Sequence, residues 1–111
     1  MSARLTADFW VHAYIARLQA AHIPAYVVVR GDATAGAVLV KLCTLDGKAR
    51  LFQRSFDLMS GARVWVVLSE GEEGAVDTAI DRQCGMDPDL WVIEIESRDG
   101  RTLLEEDGLS D

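Results

Sequence analysis

Asp87-Pro88-Asp89-Leu90-Trp91-Val92-Ile93-Glu94-Ile95-Glu96 reads as a turn followed by a strand with two unlike faces. Leu90 to Glu96 is rich in β-branched and aromatic residues, with a proline just outside it. Side chains alternate along a strand, so Trp91, Ile93 and Ile95 share one face and Val92, Glu94 and Glu96 the other. The first face demands a core. The second demands water or cations. Ser97-Arg98-Asp99-Gly100 closes the strand with turn residues.

The segments around this strand set the architecture. Thr6 or Asp8 is placed to cap a helix running to about Ala21. Trp10, Val11, Tyr14, Ile15, Leu18 and Ala21 fall on one side of it, and Phe9 lies off that side. Pro24 disfavours helix at Ile23, so the helix stops near His22. Ala25 to Arg30 is an apolar strand. Arg30-Gly31-Asp32-Ala33-Thr34-Ala35-Gly36 is a loop by its glycines and aspartate. Ala37 to Thr44 is the second strand, with Val38, Val40 and Leu42 opposite Leu39, Lys41 and Cys43. Leu45-Asp46-Gly47-Lys48 suits a type I′ hairpin turn. Ala49 to Phe56 is the third strand and Arg63 to Leu68 the fourth, joined by a looser turn containing Gly61. An acidic loop, Ser69 to Gly74, leads into a second helix over about Glu73 to Cys84, whose buried stripe is Val76, Ala79, Ile80 and either Cys84 or Gln83; Gly85 suits its end.

The resulting order, α-β-β-β-β-α-β, predicts a single α+β domain over residues 1–104. Its five-stranded sheet is mostly antiparallel, a four-strand meander plus a returning strand, with both helices packed on one face. Residues 105–111 read as an acidic, flexible tail, with Leu103 and Leu104 as anchors before it.

Composition bounds the function classes. A chain of 111 residues, 50% hydrophobic and 26% charged, is long enough and apolar enough to fold without metals or disulfides. No apolar run reaches the ~18 residues of a membrane helix, so no membrane partner is expected and the location reads as cytoplasmic. Cys43 and Cys84 form neither a disulfide framework nor a zinc pattern. The net charge is −7, unevenly spread. Residues 1–65 carry eight Lys/Arg and four Asp/Glu, and residues 66–111 carry three and fourteen. That excess of acid argues against nucleic acid as a partner.

The chain resembles a bacterial family known as domain of unknown function 1491. The resemblance rests on Trp10-Val11, Arg30-Gly31-Asp32 with Gly36, Leu45-Asp46-Gly47, and above all the strand that begins Asp87-Pro88-Asp89-Leu90-Trp91. It spans about Leu5 to Leu104. It implies a bacterial cytosolic protein and supplies no activity, cofactor or site residue.

No residue pattern marks a catalytic set. His12 and His22 have no local Cys, Ser or Asp partner arrangement, and Ser55, Ser60 and Ser69 lie in no nucleophile elbow. No cofactor or metal is predicted. Glu94 and Glu96 alone offer too few oxygens for a hard cation, and Asp87, Asp89 and Asp99 sit in turns at opposite ends of the strand. The Arg30–Gly36 loop lacks the Lys-Ser/Thr of a phosphate loop.

The candidate binding residues are therefore Arg30, Asp32, Lys41, Arg50, Phe52, Arg54, Phe56, Glu94 and Glu96. Arg50, Phe52, Arg54 and Phe56 share a strand face, a composition common in protein-binding patches. Lys41, Arg50 and Arg54 are also candidates to pair with Glu94 and Glu96 across the sheet. Trp10, Trp65 and Trp91 read as core, with one free to line an interface. The leading expectation is a small protein-interaction or accessory module that uses an exposed sheet face or edge, with itself or another protein as partner; a homodimer is the simplest form. The alternative is a small-molecule-binding protein or small enzyme with its site near the Arg30–Gly36 loop.

Overall fold

The computed structural model describes residues 5–106 and Leu109. Two helices and five strands follow the expected order: α1 (Ala7–Ala20), β1 (Ala25–Val29), β2 (Val38–Cys43), β3 (Lys48–Phe56), β4 (Arg63–Glu72), α2 (Glu73–Met86) and β5 (Trp91–Glu96). They form a single α+β domain around one mixed sheet of order β1-β5-β2-β3-β4. Three of its four strand pairings are antiparallel, and β2·β5 is parallel.

The helices lie on opposite faces of the sheet, not on one face as the sequence suggested. Trp10, Val11, Tyr14 and Leu18 of α1 pack with Val40, Leu42, Trp91, Ile93 and Ile95. Val76 and Ile80 of α2 pack with Leu39, Ala49, Leu51, Leu90 and Val92. The reason lies in β2 and β5. Each has apolar side chains on both faces, and a strand buried on both sides needs a cover on each. The expected meander of four strands fails for the same reason. β5 inserts between β1 and β2, so that β5 and β2, whose two faces both carry apolar side chains, lie inside the sheet.

Three local departures from expectation have clear causes. β4 continues through the presumed acidic loop, because Glu70 and Glu72 pair with Arg50 and Lys48 on β3. Helix α2 runs past Gly85 to Met86. The β2–β3 turn has positive φ at Leu45 and Gly47 and not at Asp46, so it is not type I′. At the end of α1, His22 takes φ 61°. Its amide bonds to the Gln19 carbonyl and the Ile23 amide to the Leu18 carbonyl. This is a Schellman ending with histidine in the place glycine usually fills.

The Arg30–Gly36 loop is built into the fold. Its Thr34 and Ala33 carbonyls accept the first amides of α1, from Ala7 at 3.1 Å and Asp8 at 2.9 Å. They do the work expected of Thr6, whose hydroxyl bonds Asp8 instead. At the C-terminal end, Leu103, Leu104 and Leu109 are buried on the α1 face. Part of the expected flexible tail, at 107, 108, 110 and 111, lies outside the described residues.

Candidate functional site

Lys41 sits at the centre of β2 and is only 3% exposed. Alternation turns it toward α2 together with Leu39 and Cys43. The parallel register sets Glu94 of β5 beside Lys41. From above, α2 contributes Glu73 and Asp77, one turn apart and hence on one side of the helix. The Lys41 ammonium donates to Glu73 Oε2 at 2.8 Å and Asp77 Oδ1 at 2.7 Å, and lies 3.3 Å from Glu94 Oε1. Three donors thus face three carboxylates, the arrangement that makes a buried ammonium tolerable. Burial alone would lower its pKa. The hydrogen bonds to Asp77 and Glu73 and the charge of Glu94 outweigh burial and hold it above the ordinary lysine range.

Cys43 lies two residues along on the same face, its Sγ 3.8 Å from Glu73 Oε2. Burial first, and then the charge of Glu94, push its thiol pKa up to about 11. Cys43, Glu73 and Glu94 bring one ligand atom each within 4.8 Å of one another, a spacing open to a metal ion. The same Glu73 oxygen already accepts from Lys41, whose ammonium supplies the cation there. The cluster is therefore an internal ion network first.

Beside the network runs a trough of about 620 Å³, open to solvent. α2 lies over β3 and β4 and leaves β5 and the edge strand β1 less covered. Val28, Val29, Val92 and Ile80 give the trough an apolar lining, with Cys84 beside them. Lys41, Glu73, Asp77, Asp81 and Glu94 give it one positive and four negative groups, a net −3. Beyond the trough is the free edge of the sheet. Tyr26, Val27 and Val28 are exposed there, and β1 contains no charged residue.

Of the residues singled out from sequence, the structure brings together Lys41 and Glu94. Glu96, on the same face, accepts from the Tyr26 hydroxyl at 3.0 Å. The others go elsewhere. Arg50 pairs with Glu70 at 3.2 Å, not with Glu94 or Glu96. Arg54 lies between Trp10 and Trp65, 5.0 and 4.9 Å from their ring centres, and donates to the Leu109 carbonyl at 2.9 Å. Phe52 packs against the α1 core, while Phe56 is exposed at the end of β3. The Arg/Phe face is thus covered in its middle by α1 and the C-terminal segment. That follows from helices on both faces of the sheet. Arg30 stacks 5.4 Å from the Trp91 ring. Asp32 accepts from the amides of Thr34 and Ala35, the turn role expected of it.

Sequence reasoning missed Glu73, Asp77 and Asp81. Their signal was legible. Spaced four apart, they form an acidic stripe next to the apolar stripe Val76, Ile80 and Cys84, so part of it must face the sheet.

A family model described as Protein of unknown function (DUF1491) matches residues 5–105. The chain belongs to this family. It is similar to a DUF1491 family protein from Caulobacter crescentus CB15, solved by crystallography. The two are 41% identical over 92% of this chain and 94% of that one, with a TM-score of 0.81. An NMR structure of a DUF1491 family protein from the same organism matches at 41% identity, TM-score 0.80, over 95% and 96%. A solution structure of an A. tumefaciens protein matches at 28% identity, TM-score 0.72, over 86% and 87%. No curated protein matches the chain. Membership in the family confirms the fold and brings no assigned activity with it. No helix among the described residues is long and apolar enough to cross a membrane.

Proposed function

We propose that the protein is a non-enzymatic interaction module of the bacterial cytosol, and that its partner is another protein. Its contact surface is the part of the α2-side face left open over β5 and β1, with the adjoining edge of β1. The observation that carries this reading is the trough beside a short, uncharged edge strand with exposed valines. Such a surface offers apolar contact and unpaired backbone groups in one place.

The chemistry of the trough favours binding over catalysis. Its lysine is held protonated by three carboxylates and is no nucleophile or base. Cys43 is held as the thiol, the unreactive form. The alternative site at the Arg30–Gly36 loop is disfavoured because the close approach its glycines permit is already taken. A Cβ at Gly31 or Gly36 would lie 2.2 or 2.3 Å from the Asp89 carbonyl oxygen. Relatives from Caulobacter crescentus and A. tumefaciens support a bacterial source.

The test is a tagged pull-down from native cytosol with the wild-type chain and Val28→Arg, checking both for equal thermal stability. A stoichiometric partner held by the wild type and lost by V28R supports the module. A partner retained equally by both, or none at all, sinks this assignment of the surface. The mass of the eluted complex separates a second copy from a foreign protein.

A further inference from the structure

The trough has a charge of its own left to satisfy. One ammonium cannot neutralise three carboxylates, and Glu73, Asp77 and Glu94 keep 44%, 52% and 28% of their side-chain surface open to solvent. Asp81 continues the same wall of α2 one turn further. Apart from Lys41 and Cys84, the rest of the lining is aliphatic: Val28, Val29, Ile80 and Val92. An acid rim above an aliphatic surface matches one class of side chain well. Lysine and arginine carry apolar stems and a cationic end.

The adjoining edge adds a backbone requirement. The Glu96 amide donates to the Pro24 carbonyl at 3.0 Å, and Tyr26 pairs with Glu94. In an antiparallel pair the hydrogen-bonded positions alternate. Pro24 and Tyr26 therefore turn their backbone toward β5, and Ala25 and Val27 turn theirs outward. An extended chain lying along this rim can pair with Ala25 and Val27 while its side chains reach the trough.

Resting on the interaction-module reading above, we propose that the occupant is an extended segment of a partner protein that places lysine or arginine side chains in the acidic trough. Its stems lie on Val28, Val29, Ile80 and Val92. Its cationic ends meet Asp77, Asp81 and Glu94.

The probe is a short capped peptide of alternating Lys and Val, titrated into the isotopically labelled full chain at low and at physiological salt. The controls are the Glu-Val peptide and spermidine. Amide shifts are expected to centre on Val28, Val29, Asp77, Asp81 and Glu94, with silence from the Glu-Val peptide. Affinity should fall roughly tenfold with Asp81→Lys, and fall again with salt. Asp81 is exposed on α2, so the fold should survive; Asp81→Asn, with a smaller loss, provides a second variant. Four results overturn the proposal: shifts centred on Glu105 and Glu106, affinity indifferent to Asp81→Lys, equal shifts from spermidine, or concentration-dependent shifts at these residues without peptide, which would make a second copy the occupant. A native partner lost by V28R but retained by D81K would leave the module standing and remove the cationic segment.

Discussion

The Trp91 indole nitrogen donates to the Asp32 carbonyl at 2.8 Å, tying the loop after β1 to the first residue of β5. The Asp32 amide returns the link, donating to the Asp89 carbonyl at 2.9 Å. Trp91 itself is 1% exposed within the α1 core. Trp91→Ala should therefore cost on the order of 3–5 kcal/mol. Trp91→Phe keeps most of the packing and leaves the Asp32 carbonyl without this donor, so about 1 kcal/mol is expected. Chemical denaturation of the two variants checks both values, and a negligible loss for the alanine would remove Trp91 from the core.

The same clasp makes two glycines indispensable and leaves another free. At Gly31 and Gly36 a Cβ would fall within 2.2 and 2.3 Å of backbone oxygen, which has no room to yield. Alanine at either position should lower the melting temperature sharply. Gly85 lies within α2 with nothing within 4 Å of an added Cβ. There alanine should stabilise by about 0.5–1 kcal/mol, by removing backbone freedom from the unfolded chain. Equal melting temperatures for G31A and G85A would contradict the described loop.

Arg50 and Arg54 lie two residues apart on one strand and should behave differently. The Arg50–Glu70 pair is more than half exposed on both sides. Arg50→Ser should cost about 0–1 kcal/mol, and less at high salt. Arg54 lies between two tryptophans and bonds the Leu109 carbonyl. Arg54→Ser should lose more, roughly 1–3 kcal/mol, from the cation–π contacts and from its hydrogen bond to the Leu109 carbonyl, which keeps the longer bond from the Trp65 indole at 3.3 Å. Its tryptophan fluorescence should shift as well, while that of R50S stays unchanged.

Cys43 gives stability an alkaline slope. An unfolded thiol ionises near ~8.5, whereas the folded chain holds this proton up to about 11, through burial and the charge of Glu94. Between those values the folded state binds more protons than the unfolded state, so stability falls as pH rises. Below them both states are protonated and the thiol contributes no slope. Lys41, also raised, keeps its contribution below the ordinary lysine range and loses it only above. Denaturation midpoints for wild type and Cys43→Ala should therefore diverge in pH dependence across this window. Parallel curves would refute the account. Thiol alkylation offers a second readout, with buried Cys43 reacting more slowly than half-buried Cys84.

Much of this was legible in the residues, and the losses were specific. Period-two alternation located β2, β3 and β5, and the apolar spacing of α1 gave its buried face, because these signals depend only on near neighbours. The single-face placement of the helices was wrong even though Leu39 and Val40, and Trp91 and Val92, already displayed apolar groups on both faces. Glu94 and Lys41 were paired correctly in kind, since opposite charges on neighbouring strands attract. Arg50 goes to Glu70 and Arg54 to two tryptophans and the Leu109 carbonyl in place of Glu94 and Glu96, because that choice depends on which elements are neighbours.

The sequence by itself determined the elements and their order, since hydrophobic periodicity acts over a few residues, and its motifs carried the resemblance to the family. Tertiary structure decided the rest. Inserting β5 between β1 and β2 put Glu94 against Lys41, and docking α2 opposite α1 brought Glu73 and Asp77 down onto the same ammonium. The three acids lie 32 to 53 positions from Lys41 in the chain. Only the burial of two apolar faces at once brings them together, and no local signal encodes that.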